Sequence, residues 1–388
     1  FASSGTYYFR NGNILKQYFE RTLARADLKV NGEYYVSLAY RPMLEDGCRV
    51  AVYELQRFMQ FGTPHDLAEY QYWSRIFRRL SAGNHATACQ PGTVMVPMAG
   101  LGTRFAKEGY ETPKPLIPVS GQPMVVQAVT DLPEAEARAF VLLQDMPGRV
   151  DIEATLRERF PGCVITALES PTDGQARTCL LGLDGIETDA PLTIGACDNG
   201  TLYDGEAFAG LVANPEVDVI VWVARGHPGA VRHPEMYGWV DANSNGVIRR
   251  VSVKVPLSDP ATDLIVIGVF TFRHTGDFVA AAERMIAEDR RVNDEFYIDE
   301  CINDAIALGL RCRIFEVDGY VCWGTPDDLR TFEYWQSCFH HLASHPYRAD
   351  RDPRYHGVPP IMERVPLRIG GVGARAPQPP IALKLRGS

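Results

Sequence analysis

The sequence predicts an α/β fold with a doubly wound, mainly parallel sheet. Short apolar runs suited to buried strands, such as 93–97 and 139–143, alternate with amphipathic stretches suited to helices, such as 152–160. A loop of small residues directly follows the first of these runs. This pattern is typical of parallel strands joined by helices, in which ligands bind at the carboxyl ends of the strands.

The predicted elements follow one another from the first strand to the acidic loop near residue 198. Each short apolar run suits a buried strand, and each longer stretch suits a helix that covers the sheet. In chain order they are strand 93–97, strand 139–143, helix 152–160, strand 163–166, helix 175–183 and strand 191–194.

The composition indicates a chain with a large core and a negative surface. Of its 388 residues 46% are hydrophobic, and the net charge of −9 argues against nucleic acid as a partner. The longest apolar runs, 217–224 and 264–270, are too short to span a bilayer. The nine cysteines are odd in number and contain no Cys-x-x-Cys pair, so we expect reduced, buried thiols in a cytoplasmic protein.

The loop after the first strand has the features of a phosphate-binding site. Gly100 and Gly102 lack the Cβ atom that would keep a ligand away from backbone N–H groups. Together with Ala99, Leu101 and Thr103 they form the predicted nucleotide-binding loop.

Two cations follow this loop at short distance and are the predicted catalytic groups. Arg104 offers several planar donors, and Lys114 lies between two prolines on a segment with few conformations to lose. A dinucleotide-binding fingerprint is excluded because Phe105 stands where its third glycine belongs. A P-loop is excluded because the chain has no Gly-Lys-Ser/Thr sequence.

Two segments of this region carry a family resemblance: Gly100-Leu-Gly-Thr-Arg-Phe105 and Pro113-Lys-Pro-Leu-Ile-Pro-Val-Ser-Gly121. They resemble the signature of sugar-phosphate nucleotidylyltransferases, also called nucleoside-diphosphate-sugar pyrophosphorylases. The preceding Val96-Pro-Met-Ala-Gly100 is most similar to members from capsule and surface-polysaccharide biosynthesis. The resemblance covers residues 92–342 and implies a Rossmann-like nucleotidyltransferase domain. It also implies transfer of a nucleoside monophosphate from an NTP to a sugar 1-phosphate or similar phosphorylated acceptor, with release of pyrophosphate.

Asp198 is the predicted ligand of Mg²⁺. It ends an apolar strand, and Mg²⁺ in proteins prefers one or two carboxylates together with phosphate oxygens. The resemblance implies the same role, whereas the alternative is an ordinary Asp-Asn-Gly turn. A second acid is expected before the Gly-Thr motif, but Cys322 stands there and is a poor Mg²⁺ ligand. The second ligand stays unassigned, with Asp294 and Glu295 nearby in sequence.

The resemblance also implies where the nucleobase and the acceptor bind. Gly174 and Gln175 fall at the nucleobase loop, although a plain turn with a helix cap fits the same residues. Tyr237 and Gly238 match a Tyr-Gly-x-Val strand on the acceptor side, although the aromatic ring also suits a core. Lys254 falls where relatives have a Glu-Lys-Pro lysine, but valines flank it here, and a solvated lysine is the alternative.

A repeat divides the chain into segments. The first eighty residues match the region from 264 to 342 in order and spacing. We therefore expect residues 1–80 to be the C-terminal portion of a second nucleotidyltransferase-like domain that has lost its amino-terminal part. Residues 81–91 are the predicted linker, and residues 343–388 are a Pro- and Arg-rich tail predicted to be mostly disordered. The matching segments are 5–10 with 268–273, 30–36 with 292–298, and 61–67 with 323–329.

Two other functions compete with the nucleotidylyltransferase prediction. The truncated copy, the missing second acid and the altered context of Lys254 favour a non-catalytic nucleotide-sugar sensor or assembly subunit. A glycosyltransferase that uses a nucleotide sugar would carry an Asp-x-Asp motif, which Cys197-Asp-Asn199 matches imperfectly. The Arg and Lys of the phosphate motif favour the nucleotidylyltransferase, which we expect to use Mg²⁺, an NTP and a phosphorylated acceptor, and which is a possible homo-oligomer.

Overall fold

A computed structural model describes residues 3–83, 88–100, 102–358 and 368–370. The chain divides into two compact units. The smaller comprises Phe1–Met59 and Ile361–Ser388, and the larger comprises Gln60–Pro360.

The smaller unit is built from short elements. Helix α1 (Gly12–Leu23) begins where the Asn11 side chain accepts a hydrogen bond from the Ile14 N–H at 3.0 Å. Helix α2 (Tyr40–Glu45) follows, and strand β1 (Val50–Val52) pairs antiparallel with Arg368–Gly370.

The larger unit contains the remaining helices and strands. Its helices are α3 (Pro64–Ser81), α4 (Thr103–Lys107), α5 (Met124–Thr130), α6 (Arg149–Arg159), α7 (Gln175–Leu181), α8 (Gly205–Ala213), α9 (Pro228–Arg232), α10 (Thr275–Ala287), α11 (Ile298–Ala307) and α12 (Pro326–His341). Its strands are β2 (Cys89–Pro97), β3 (Pro118–Val119), β4 (Gln122–Pro123), β5 (Glu134–Leu143), β6 (Val164–Leu168), β7 (Leu192–Ile194), β8 (Asn199–Leu202), β9 (Val219–Ala224), β10 (Gly238–Ala242), β11 (Ile248–Val253), β12 (Leu264–Phe272), β13 (Cys312–Glu316) and β14 (Gly319–Cys322).

The central sheet confirms the predicted α/β class. Its strand order is β11-β10-β12-β7-β2-β5-β6, and β9 pairs with both β12 and β13. Strands β7, β2, β5 and β6 pair in parallel with one another, and β13 pairs in parallel with β9. Strand β12 runs antiparallel to β7, β9 and β10 and so joins the parallel half to the β10–β11 hairpin.

Alternating residues of the central strands are buried on opposite faces of this sheet, as the two-residue period of a strand requires. On β2, Val94 and Val96 belong to one core cluster and Met95 to the other. Helices α5, α6 and α8 contribute to the first cluster, and helices α7, α10 and α11 contribute to the second. Both faces of the sheet are therefore covered, which defines a doubly wound fold.

Helix α3 packs within the larger unit, although the sequence analysis assigned it to the first copy. Its apolar face, which includes Trp73 and Phe77, is buried. The Tyr72 hydroxyl donates a hydrogen bond to the Tyr320 carbonyl oxygen at 2.5 Å. The larger unit therefore begins at residue 60, and β2 begins at Cys89, inside the predicted linker.

The segment 345–358, which we call the C-terminal strap, corrects the prediction of a disordered tail for this stretch. Tyr347 is fully buried, and its ring centroid lies 4.7 Å from that of Phe77. Its hydroxyl donates to Asp352 at 3.0 Å and accepts from the Gln336 side chain at 3.0 Å. The sequence of the strap shows no periodic pattern of apolar residues. Isolated side chains anchor it, rather than one face of a helix or strand. Apart from 368–370, residues 359–388 lie outside the described residues.

An ion pair joins this strap to the end of helix α5. Arg354 Nη2 lies 2.5 Å from Asp131 Oδ2, and the two side chains are 13% and 7% exposed. Burial raises the pKa of Asp131 to about 7, although the Arg354 guanidinium opposes this shift. Asp131 follows α5, and its carbonyl oxygen accepts a hydrogen bond from Thr201 at 3.0 Å.

The nine cysteines are all free; Cys89 is exposed, whereas the sequence analysis expected buried thiols. None of the helices among the described residues is both long and apolar enough to cross a membrane.

We predict that Arg354→Met lowers the free energy of unfolding by about 1–3 kcal/mol, because Asp131 keeps its burial and loses the guanidinium that hydrogen-bonds it. The folded pKa of Asp131 lies above its unfolded value, so its ionisation costs stability as pH rises from about 4 to about 7. Without the guanidinium this pKa rises further, so the loss should be larger at about pH 8 than at about pH 5.5.

Urea unfolding at the two pH values measures this loss. Arg351→Met, at an exposed position of the same strap, is the control and should stay within about 0.5 kcal/mol of the parent chain. An equal loss at both pH values would contradict the assignment.

Candidate nucleotide-binding site

A cleft of about 380 Å³ opens at the carboxyl ends of β2 and β7. These strands end side by side because they pair in parallel, and the Gly195 N–H donates to the Met95 carbonyl oxygen at 2.9 Å. The cleft brings together predicted residues that are distant in sequence. Those that line it are Ala99, Gly100, Gly102, Lys114, Gly174, Gln175 and Asp198. The predicted residue Leu101 lies outside the described residues.

Gly102 is required by the turn that ends the glycine loop. Its φ is +62°, and a Cβ atom there would lie 3.1 Å from the Lys114 Cβ. Helix α4 begins immediately afterwards, so that Thr103 and Arg104 occupy its first exposed turn at the cleft rim. Phe105, at the position that excludes a dinucleotide fingerprint, is buried and fixes this turn to the core.

Lys114 and Asp198 form an ion pair inside the cleft. Lys114 Nζ donates to Asp198 Oδ2 at 2.6 Å and to the Gly324 carbonyl oxygen at 3.1 Å. Burial has the largest single effect and lowers the pKa of Lys114, but the Asp198 carboxylate together with Cys197 and Cys322 raises it, and the net shift is upward. The lysine is therefore a permanent cation that faces the glycine loop.

The wall behind this ion pair is the segment that follows β14. The Trp323 N–H donates to the Asp198 carbonyl oxygen at 2.8 Å. A Cβ atom on Gly324 would lie 3.4 Å from both Asp198 Oδ2 and Cys322 Sγ. Burial raises the pKa of Cys322 well above its ordinary value, so its thiol stays protonated beside Asp198.

Asp198 and Cys322 together supply only part of the ligand set that Mg²⁺ needs. Asp198 supplies a hard carboxylate that is 28% exposed, whereas a protonated thiol at Cys322 is not a ligand for this ion. Among the residues that the structure describes, no cluster of three His, Cys, Asp or Glu side chains could hold a metal. The donor set therefore suits a metal held by one carboxylate together with the phosphate oxygens of a substrate.

The predicted nucleobase loop is fixed by a close backbone approach. Gly174 has a φ of +139°, and a Cβ atom there would lie 2.3 Å from the Phe296 nitrogen. The Phe296 N–H donates to the Asp173 carbonyl oxygen at 2.8 Å, and the Ala176 N–H donates to the Phe296 carbonyl oxygen at 3.1 Å. Gln175, the first residue of α7, therefore lies on the cleft wall.

The same contact brings in two cleft residues that the sequence analysis did not assign, Glu295 and Tyr297. Burial raises the pKa of Tyr297, the Glu295 carboxylate adds to this rise, and the Arg104 guanidinium opposes it. Arg104 is therefore close enough to Tyr297 for an electrostatic interaction, although it does not line the cleft itself. Glu295 and Tyr297 both lie in the repeated segment 292–298, from which the sequence analysis named Glu295 only as an acid near the unassigned second metal ligand.

The predicted acceptor residues meet beside Tyr297 rather than in the cleft itself. Lys254 has a φ of +62°, its N–H donates to the Tyr237 carbonyl oxygen at 2.9 Å, and its Nζ lies 5.0 Å from the Tyr297 ring centroid. A Cβ atom on Gly238 would lie 2.1 Å from Asp299 Oδ2. Burial raises the pKa of Asp299, which the sequence analysis missed, to about 6, and Lys254 opposes this shift.

The Tyr237 side chain contacts the protein core. Its hydroxyl lies 3.4 Å from His227 Nδ1, and its ring packs against the core. Its backbone, rather than its ring, supports Lys254.

Comparisons with known proteins show the family and the fold of the chain. The family described as Nucleotidyl transferase matches residues 94–332. A nucleoside-diphosphate-sugar pyrophosphorylase from Vibrio cholerae RC9 has 21% sequence identity and a TM-score of 0.50, and the match covers 62% of this chain and 98% of that protein. The inositol-1-phosphate CTP transferase from T. maritima has 15% identity and a TM-score of 0.50, with 65% and 97% covered. Comparison with curated protein sequences finds no match.

The two solved structures establish the fold, and the family match spans more than half of the chain, including the glycine loop, Lys114 and Asp198. The chain therefore belongs to the Nucleotidyl transferase family.

Proposed function

We propose that the chain is a sugar-phosphate nucleotidylyltransferase. A phosphate oxygen of the acceptor forms a bond with the α-phosphorus of an NTP, and the bond between that phosphorus and the bridging oxygen of the β-phosphate breaks. The electron pair leaves with pyrophosphate, and no proton has to move because the acceptor phosphate is already ionised. The observation that carries this proposal is the Lys114–Asp198 ion pair, which faces a glycine loop in one cleft.

Catalysis in this proposal depends on alignment and charge stabilisation. The Ala99–Thr103 loop presents backbone to the phosphates, Lys114 neutralises the α-phosphate, and Arg104 at the rim holds the β- and γ-phosphates. The buried surroundings of Lys114 strengthen its interaction with phosphate, because they keep water away from the ammonium group.

Asp198 would hold Mg²⁺ together with phosphate oxygens, and the ion would offset the negative charge that develops as pyrophosphate leaves. Asp198 Oδ2 is bound to Lys114 in this structure, so nucleotide binding requires the lysine to share its donors between the carboxylate and the α-phosphate. Glu295 supplies a second carboxylate among the described residues that line the same cleft.

The acceptor is proposed to be a sugar phosphate or a closely similar polyol phosphate. Lys254 supplies a cation for its phosphate, and Glu295 and Asp299 supply carboxylate oxygens for hydroxyl groups. The names of the two structural neighbours, one acting on nucleoside-diphosphate sugars and one on inositol 1-phosphate, support this class. The corresponding proposal for the pathway is that the chain supplies a nucleotide sugar for the biosynthesis of surface polysaccharide, including capsule.

A nucleotide-sugar sensor is the second candidate, and one observation favours it. Cys322 is a protonated thiol where a second metal-binding acid is expected, which would weaken metal-assisted catalysis more than nucleotide binding.

Pyrophosphate release by the full chain with Mg²⁺ separates the two candidates. Each NTP is tested against a panel of sugar 1-phosphates and inositol phosphates. We expect release that requires both substrates and is lost in Asp198→Ala, while Asp145→Ala, an exposed acid after the neighbouring strand β5, keeps it. Nucleotide binding without release across the panel would reject the enzyme and favour the sensor.

Arg104→Ala should lower turnover by about 100-fold or more, because the departing pyrophosphate loses its guanidinium partner. Arg104 is exposed on α4, so the variant should keep the melting temperature of the parent chain. Lys107→Ala, on the same short helix, is the control and should change turnover by less than about three-fold. Near-normal turnover in Arg104→Ala would reject this role.

Lys254→Ala should raise the KM for the acceptor by about 10-fold or more, which corresponds to the loss of a charge-assisted hydrogen bond. The KM for the NTP should stay within about two-fold, because Lys254 lies beside Tyr297 and outside the phosphate loop. Arg250→Ala, an exposed cation on β11, is the control. An effect on the NTP alone would contradict the acceptor assignment.

A further inference from the structure

Helices α3 and α12 begin in the same way. In each helix a threonine and an aspartate form a reciprocal capping box, Thr63 with Asp66 and Thr325 with Asp328. The backbone N–H of each threonine donates to the aspartate, at 2.8 Å in α3 and 3.1 Å in α12. The alignment that matches these caps also matches Trp73 with Trp335 and defines corresponding positions along both helices.

The aromatic contacts between the two helices occur in corresponding pairs. Tyr70 of α3 contacts Trp335 of α12 with ring centroids 6.0 Å apart. The residues that correspond to these two are Phe332 and Trp73, and they are also in contact, at 6.3 Å.

A second pair of contacts follows the same rule. Tyr70 lies 5.6 Å from Phe339, and the corresponding residues Phe332 and Phe77 lie 5.7 Å apart. Phe77 and Phe339 correspond to each other and are themselves in contact at 5.5 Å. A contact that maps onto itself in this way marks the position of a two-fold axis.

One departure from the symmetry follows from a difference in sequence. Trp335 Nε1 donates to Glu69 at 3.5 Å. Thr331 occupies the position that corresponds to Glu69. Trp73 Nε1, which corresponds to the Trp335 donor, has no hydrogen-bond partner among the described residues. The contacts are thus symmetric where the side chains match and asymmetric where they differ.

From this pattern we infer that α3 and α12 form the two-fold interface of an internal pseudo-dimer. The aromatic face of α12 is self-complementary, so it fits the α12 helix of a second, similar domain. In this chain α3 occupies the position of that second helix. This pairing buries the aromatic side chains of both helices, most completely Phe77 and Phe339 at the axis. The inference concerns association and holds whether or not the proposed reaction takes place.

The inference is tested with variants of the full chain that carry a charge on the aromatic face of α3 or of α12. The measurement is the mass of each variant in solution. Phe77→Asp places a carboxylate on the axis and should release α3, so that the α12 faces of two chains pair and sedimentation equilibrium gives twice the parent mass. Phe339→Asp should release α12 in the same way, so that the α3 faces of two chains pair and the mass doubles. The double variant leaves neither face apolar and should keep the parent mass. Leu67→Asp, at an exposed position of α3, is the control and should also keep it.

Folded single variants that keep the parent mass would overturn the inference. Where a single aspartate variant loses its helical circular dichroism, milder substitutions decide. Tyr70→Leu with Trp335→Leu, and the corresponding Phe332→Leu with Trp73→Leu, should shift the melting temperature non-additively and to the same extent. Non-additivity confined to one of these pairs would also overturn the two-fold relation.

Discussion

The Lys114–Asp198 ion pair is the interaction around which the cleft is organised. It joins the segment after the glycine loop to the loop after β7, and both charges are partly removed from water. Such a pair is stable only when its remaining donors and acceptors are satisfied, which the Gly324 carbonyl oxygen does for the lysine. A Cβ atom at Gly102 would crowd Lys114, so this glycine is part of the same constraint.

A second constraint links the two sides of the site. The backbone of Gly174 approaches Phe296 so closely that no side chain fits between them, and hydrogen bonds on both sides hold the contact. The predicted nucleobase loop therefore cannot move independently of Glu295 and Tyr297. Since the Tyr297 ring also lies against the Lys254 ammonium group, one backbone contact and one side-chain contact link this loop to the predicted acceptor residue Lys254.

The sequence predicted what depends on local pattern. The helices expected at 152–160 and 175–183 are found at Arg149–Arg159 and Gln175–Leu181, and Asp198 follows β7 in the cleft with the glycine loop. What depends on tertiary contact was missed. The strap is anchored by Tyr347 and by the Arg354–Asp131 pair, which no periodicity reveals. Asp299 gains its significance only from its contact with Gly238, which a sequence cannot show without the sheet.

Helix α3 connects the symmetric helix pair to the cleft wall. Its Tyr72 hydroxyl holds the Tyr320 carbonyl oxygen of β14, the strand that leads to Cys322 and Gly324. The Tyr72 ring also packs edge-on against His227, whose pKa burial lowers to about 3, so that the imidazole stays neutral at physiological pH. Because His227 does not change its protonation near physiological pH, these contacts stay the same in that range, and the position of α3 is set by its aromatic packing with α12.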